Sequence, residues 1–195
     1  WQAWSDSLYI PVVVMESPRG LRDPSLGNVA ERIAEADLVV LAGKRLDFTL
    51  GFGRTGPLHA DAQVVAIDAD ADMLERAARL LGKRLALQCQ ADPLQMATAA
   101  GGAAAAGGGS RRAWRDAVHA AAAHRALAPS STPGVGMASQ VLCGAVQRVI
   151  ARAPNPILVC DGGEFGQWAQ AFCSAPVRLI NGMSGAIGGG ICYAT

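Results

Sequence analysis

The chain has 195 residues, 51% of them hydrophobic, and its 17 Lys and Arg residues against 16 Asp and Glu residues give a formal net charge of +1. This composition supports a hydrophobic core and excludes intrinsic disorder as the default state. Balanced charge, without a basic stripe, argues against a nucleic-acid partner, and no apolar run approaches the roughly 20 residues of a membrane-spanning helix. We therefore expect a cytoplasmic protein that binds neither nucleic acid nor membrane.

Strand and helix patterns alternate through the first half of the chain. The apolar run at 9–15 (YIPVVVM) predicts a buried strand, and residues 28–36 predict a helix with Asn28 as its capping residue and Glu31 three positions later. Further on, the pattern predicts strands at 37–43, 64–68 and 85–88 and an amphipathic helix at 71–81. Such alternation is typical of an α/β fold with a doubly wound parallel sheet.

Gly43 and Asp68 stand at the ends of two of these strands. In a Rossmann-like half, a glycine turn and an acidic residue in these positions hold the phosphates and the ribose of a nucleotide. The sequence lacks the G-x-G-x-x-G spacing, and a purely structural α/β unit has similar turns. Both interpretations therefore stay open.

The segment 97–112 (ATAAGGAAAAGGGSRR) interrupts the alternation. It has no apolar period and its glycines oppose a helix, so we predict a flexible linker at 98–112 between domains at 1–97 and 113–195.

The second domain is predicted to begin with helices at 113–127 and 137–153. On the second of these helices, Val141, Leu142, Ala145 and Val149 are predicted to face one side. The five cysteines of the chain form no C-x-x-C pair, which indicates neither a disulfide framework nor a zinc site. Cys143 and Cys160 lie in apolar runs and are predicted to be buried, reduced thiols.

A glycine cluster follows each of the next two predicted strands, 157–160 and 177–180, which are separated by a helix through Trp168. Glycine lets the main chain approach an anion, and a helix start supplies unpaired N–H donors, so the two clusters suit a phosphate. In an open parallel sheet, ligands collect at the carboxyl edge of the strands. Glycines that serve only tight turns and close helix packing would give the same pattern.

These segments resemble a known family. Residues 161–168 (DGGEFGQW) are similar to the diphosphate loop of thiamine-diphosphate enzymes of the acetolactate synthase group. Residues 184–194 (SGAIGGGICYA) resemble the pyrimidine-binding loop of oxalyl-CoA decarboxylases and 2-hydroxyacyl-CoA lyases, and 37–53 with 63–74 resemble the central domain of the same enzymes. The resemblance implies a central domain at 1–97 and the start of the thiamine-diphosphate domain at 113–195.

In the second domain, the resemblance implies that the diphosphate is bound by Gly163, Glu164 and Phe165. A glutamate side chain would repel the diphosphate, so the backbone N–H of Glu164 is the expected contact. The later loop, which includes Ala186, would contact the pyrimidine: Gly185 would offer its carbonyl to the aminopyrimidine, and Ile187 would be the apolar wedge that bends the cofactor.

In the central domain, the resemblance implies FAD, ADP or no ligand. Any nucleotide there would lie beside Arg45, near the turn at Gly43, with Asp68 and Asp70 facing its ribose.

The resemblance implies further parts that this chain lacks. The family activates its cofactor with a glutamate from an N-terminal domain and holds Mg²⁺ with a Gly-Asp-Gly motif and a later Asn, so we expect no metal ligands among these residues. We therefore expect an internal piece of a longer polypeptide, inactive alone. In full length it would form a homodimer or homotetramer that acts on a 2-keto acid or on a 2-hydroxyacyl-CoA or oxalyl-CoA substrate.

Two other function classes remain. The chain could be a non-catalytic module that binds ADP or FAD as a structural or regulatory element. A metal hydrolase centred on Asp161 is disfavoured, because no His or Cys ligand accompanies that residue.

Overall fold

A computed structural model describes residues 2–15, 19–100, 108–125, 136–180 and 188–194. The chain divides into two compact units. Unit 1 comprises Trp1–Met15 and Asn28–Ala123, and unit 2 comprises Glu16–Gly27 and His124–Thr195. The fold is mixed α/β, as predicted, with a parallel sheet in each unit. The domain boundaries predicted from composition stay a prediction.

Unit 1 is built on three parallel strands, β1 (Leu38–Ala42), β2 (Gln63–Asp68) and β3 (Leu85–Gln90), in the order β1-β2-β3. Val64 and Ala66 of the central strand are buried, as expected for an apolar strand covered by other elements. The carboxyl ends of β1 and β2 are neighbours, because the strands are parallel and Ala42 pairs with Ile67.

Helix α3 (Ala71–Leu81) joins β2 to β3 at the predicted bounds. Its Leu74, Ala77 and Leu81 are buried, and the Asp70 carboxylate caps its start by accepting the N–H of Asp72 at 2.9 Å. The connection from β1 to β2 carries short 3₁₀ turns within Phe48–Gly53, interrupted by non-helical backbone at 50–52, in place of an α-helix.

Among its described residues, unit 1 has the further α-helices α1 (Gln2–Leu8), α2 (Val29–Ile33), α4 (Pro93–Ala100) and α5 (Gly108–Ala123). Helices α4 and α5 extend into the predicted linker, at 98–100 and 108–112 respectively; residues 101–107 lie outside the described part. The side chain of Asn28 does not cap α2. Its backbone N–H instead donates to the carbonyl of Ala121 at 2.9 Å.

The strand predicted at 9–15 is wrong. Tyr9 has a left-handed backbone (φ 54°) just after α1, and residues 10–15 belong to no helix or strand. Pro11 has no N–H to donate to a neighbouring strand. The Tyr9 side chain contacts Arg112 instead: the guanidinium donates to the Tyr9 hydroxyl at 2.7 Å, and its Cζ lies 4.5 Å from the ring centroid.

Unit 2 contains the parallel strands β4 (Ile157–Cys160) and β5 (Val177–Ile180), both at the predicted bounds. Its described helices are α6 (Ser139–Ile150), α7 (Glu164–Phe172) and α8 (Gly189–Ala194). The core consists of buried side chains from α6, β4 and α7 and from the residue after α7, namely Cys143, Leu158, Cys160, Ala169 and Cys173. No helix in the described ranges of either unit is long and apolar enough to cross a membrane.

The side of α6 that packs against the core is not the side with the four apolar residues named from the sequence. Val149 is 70% exposed, whereas Cys143 is fully buried and Val146 and Ile150 pack against the core. The helix is apolar on more than one side, so two faces fit the 3.6-residue period equally well. Packing against β4 and α7 selects the face that contains Cys143.

Residues 19–27 are tied into unit 2 by Arg125. Its guanidinium donates to the carbonyl of Ala171 at 2.8 Å and to that of Ser25 at 2.9 Å. Burial lowers the pKa of Arg125, and the nearby charge of Asp23, itself 1% exposed, partly offsets this effect. The arginine thus links the 3₁₀ turn Pro24–Leu26 to the end of α7.

Candidate functional site

The carboxyl ends of β4 and β5 meet at one edge of the unit 2 sheet, where Cys160 pairs with Ile180. Both predicted glycine segments follow these ends. Asp161, the first residue after β4, joins them: its carboxylate accepts the N–H of Gly188 at 2.9 Å to Oδ2 and 3.1 Å to Oδ1, and that of Gly162 at 2.7 Å.

This arrangement corrects one sequence-based expectation. The N–H groups of the glycine segments were expected to be bare and to point at an anionic ligand, but those of Gly162 and Gly188 bind the carboxylate of Asp161. These two N–H groups are thus already bound to a carboxylate of the protein itself. Any N–H group that binds an anionic ligand at this edge must be a different one.

Two glycines pack directly against Asp161. A Cβ on Gly166 would overlap the carbonyl oxygen of Asp161, and a Cβ on Gly190 would lie 3.0 Å from the Asp161 Cβ. Sequence reasoning missed this contact. The available signal was an isolated glycine in the middle of a predicted helix, which usually marks close packing.

Two other glycines at this edge have open space around them. Gly163 has φ 91° and Gly188 has φ 93°, and no atom of the described residues, apart from their chain neighbours, lies within 4 Å of the Cβ that a larger residue would carry. The backbone angles of both require glycine, and the described residues leave space beside them. Glycines here therefore divide into a packing pair, Gly166 and Gly190, and an open pair, Gly163 and Gly188.

The start of α7 carries the predicted diphosphate residues. Gly163 is the N-cap of this helix and no side chain caps it. The backbone N–H groups of the first turn, at Glu164 and Phe165, have no carbonyl partner within the helix and lie at the positive end of its dipole. Phe165 is 53% exposed. This turn fits the charge and the donor requirement of a diphosphate.

The predicted pyrimidine-loop residues, Gly185, Ala186 and Ile187, lie outside the described residues. Gly188 follows them directly and is fixed to Asp161 as described. The predicted roles of the three residues stay predictions.

The predicted nucleotide residues of unit 1 lie at one sheet edge. Gly43 has φ 64°, and its N–H donates to the carbonyl of Ile67 at 2.8 Å. Arg45 and Asp68 line the same cavity, but its volume of about 10 Å³ has room for about one water molecule. Asp70 caps α3, so its carboxylate already has a structural partner. A nucleotide would have to lie along the open edge.

A larger open cleft, of about 640 Å³, lies elsewhere in unit 1 and contains none of the predicted residues. It is lined by Phe52, Gly53, Arg54, Thr55, Leu80 and Arg84. The Arg84 guanidinium is engaged, because it donates to the carbonyls of Gly53 and His59.

Three cysteines form part of the unit 2 core. Cys143, Cys160 and Cys173 are buried thiols outside any disulfide, as predicted for the first two. Burial and the neighbouring Cys143 raise the pKa of Cys173 to about 11, and burial also raises the pKa values of Cys143 and Cys160. Such thiols stay protonated at neutral pH and pack as small apolar groups.

Comparison with known proteins gives no assignment for this site: no protein-family model matches the chain, and none of the curated proteins shows significant similarity to it.

Proposed function

We propose that this chain is part of a thiamine-diphosphate-dependent enzyme that cleaves or forms carbon–carbon bonds next to a carbonyl group. The substrate class is a 2-keto acid or a 2-hydroxyacyl-CoA or oxalyl-CoA thioester. One observation carries the proposal. The β4–β5 pairing and the Asp161–Gly188 hydrogen bond put Gly188, which follows the residues that resemble the pyrimidine loop, at the same sheet edge as the segment that resembles the diphosphate loop of such enzymes.

The chain's own groups suit the diphosphate end of the cofactor. The first turn of α7 offers backbone N–H donors, and the open space at Gly163 lets an anion approach them. Phosphate oxygens accept hydrogen bonds from such donors without any side-chain charge. The backbone N–H of Glu164 is the contact that we assign, in keeping with the repulsion expected from its carboxylate.

The pyrimidine end is assigned to the segment that precedes Gly188. Gly185 would accept a hydrogen bond from the exocyclic amine through its carbonyl, and Ile187 would fill the space beneath the bend between the two rings. When bound, thiamine diphosphate supplies a nucleophilic C2 and an electron sink for the bond that breaks or forms. The protein's contribution is to fix the bent geometry before substrate arrives.

Adenine-nucleotide binding is the second candidate function, assigned to unit 1. The observation that favours it is the shared edge of β1 and β2, where Arg45 and Asp68 line one cavity beside the left-handed turn at Gly43. Binding of ADP or FAD along this edge is compatible with the first proposal and needs no catalysis.

Calorimetric titration of the full-length protein with thiamine diphosphate and Mg²⁺ tests the first proposal. We expect saturable binding and, in Gly163→Ala, an affinity lowered by roughly tenfold, because a Cβ would crowd the donors and strain the backbone. Gly56→Ala is the matched control, since Gly56 has φ 110° and equally open surroundings in unit 1. The proposal is wrong if the parent does not bind the cofactor, or if both variants lose affinity equally.

A further inference from the structure

Asp161 holds a place that neither the sequence pattern nor the family resemblance assigned. It stands at the end of β4 and accepts hydrogen bonds from backbone groups in two segments that are 26 residues apart, at Gly162 and Gly188. Both of its carboxylate oxygens contact the Gly188 nitrogen. Hydrogen bonds to an ionised acceptor are stronger than neutral ones.

The surroundings of Asp161 are shaped to keep it in place. Gly166 of α7 lies against its carbonyl, and Gly190 of α8 lies against its Cβ, at distances that admit no larger residue without movement. Helix α7 therefore contacts the backbone of Asp161 and α8 contacts its side chain, while the carboxylate reaches the backbone of Gly188. The Asp161 carboxylate does more than stabilise its own turn, because it connects two separate parts of the chain.

We propose that Asp161 is a positioning residue: its carboxylate fixes Gly188 against the end of β4, at the edge where α7 begins. The inference rests on the function proposed above, because Gly188 directly follows the residues assigned to the pyrimidine. Asp161 acts through Gly188 and not on the cofactor itself. It sets the position of Gly188 relative to the diphosphate donors of α7.

Substitution of Asp161 tests this role through a structural readout and a binding readout. Hydrogen exchange of peptides that contain Gly188, measured by mass spectrometry on the full-length protein without cofactor, reports the hydrogen bond itself. We expect Asp161→Ala to speed exchange in these peptides by about tenfold, because the variant loses a charge-assisted hydrogen bond. Exchange in peptides from β1 to β3 should not change. Thiamine diphosphate, titrated with Mg²⁺, should bind about tenfold more weakly.

Two other variants guard against misfolding as an explanation. Asp161→Asn keeps one acceptor oxygen and should give a smaller effect on both readouts. Gly190→Ala leaves the carboxylate intact but displaces it, because the new Cβ would lie 3.0 Å from the Asp161 Cβ and 3.4 Å from Oδ2. It should therefore reproduce the direction of the Asp161→Ala result.

Asp92→Ala is the matched control. The Asp92 carboxylate also accepts two backbone N–H groups, from Leu94 at 2.8 Å and Gln95 at 2.9 Å, but both belong to one helix start in unit 1. Its loss should leave the exchange at Gly188 and the cofactor affinity as in the parent.

The outcomes separate the two proposals. Unchanged exchange at Gly188 in Asp161→Ala overturns the positioning role. Faster exchange with the parent's cofactor affinity also overturns it, while the proposed function stands. A parent protein that does not bind thiamine diphosphate refutes the proposed function, and the positioning of its cofactor falls with it.

Discussion

Gly166 packs against the carbonyl oxygen of Asp161 so closely that α7 could not take its position with any larger residue there. A glycine inside a helix costs stability relative to alanine, so this contact explains why the helix carries one. It also allows α7 to begin directly beside the end of β4. The first turn of α7 thereby reaches the sheet edge at which Gly188 is fixed.

Gly166→Ala should destabilise unit 2. Helix propensity alone would favour alanine, but the clash with backbone outweighs it, and we expect the free energy of unfolding to fall by about 1–3 kcal/mol. Gly144→Ala in α6 is the control, because only the Arg148 side chain lies near its Cβ position, at 3.9 Å. There the gain in helix propensity, up to about 1 kcal/mol, should be visible in urea unfolding. Equal effects of the two substitutions would contradict the packing role of Gly166.

The cysteines should differ in reactivity. Cys192 is exposed and Cys89 partly so, whereas Cys143, Cys160 and Cys173 are buried. With iodoacetamide at neutral pH, we expect Cys192 to be modified first and the three core thiols only after unfolding, as read by mass spectrometry of the labelled peptides. Labelling of Cys173 at the rate of Cys192 in the native protein would contradict the core described above.

The same thiols should make the fold sensitive to alkali. Folding raises the pKa of Cys173 from the ordinary 9.0 to about 11, so the folded state disfavours the thiolate. The corresponding stability is fully present below pH 9 and is lost as the pH rises from 9 through 11. Cys173→Ala should flatten the decline of the free energy of unfolding over this range, and an unchanged slope would count against the shift.

Asp47 should make unit 1 sensitive to acid. Burial opposes ionisation of this carboxyl, but hydrogen bonds from Thr49 and the charge of Lys44 outweigh burial and lower its pKa below the ordinary 3.8. The carboxylate therefore stabilises the fold above pH 3.8, and this contribution is lost as the pH falls through the lower folded-state value. Asp47→Asn should show a weaker dependence of unfolding free energy on pH below 4. Parallel pH profiles for parent and variant would contradict this.

Asp68, the last residue of β2, and Asp70, the N-cap of α3, are expected to have different roles. Asp70→Ala removes the N-cap of α3 and should lower the free energy of unfolding by about 1 kcal/mol. Asp68→Ala is expected to weaken binding of ADP to the full-length protein, measured by calorimetry, if unit 1 takes a nucleotide by its ribose. An unchanged ADP affinity in Asp68→Ala would refute the ribose role.

Ile187 is expected to act by shape. Ile187→Ala should slow proton exchange at C2 of bound thiamine diphosphate, followed by NMR, because the truncation leaves a gap worth on the order of 2–4 kcal/mol. Ile187→Leu keeps the volume and should exchange at the parent's rate. If the alanine variant also matches the parent, Ile187 is not the wedge.

Local patterns were enough to predict several elements to the residue. Helix α3 has a clear amphipathic period, and β4 and β5 are short apolar runs. Polar or turn residues flank each of them and mark where it begins and ends. The α/β class followed from their alternation, and the shared edge of β4 and β5 followed from parallel pairing.

Other features depended on which surfaces meet. Two faces of α6 were equally apolar, and only contact with β4 and α7 distinguished Cys143 from Val149. The run at 9–15 has the composition of a strand, yet none of the described strands pairs with it. The sequence around Asp161 does not indicate its contact with Gly188, because an aspartate beside glycines fits a turn, a metal site or an anion-binding loop equally well. Its hydrogen bond to Gly188 exists because parallel pairing of β4 with β5 brings distant backbone N–H groups within reach of one side chain, and periodicity along the chain contains no information about that distance.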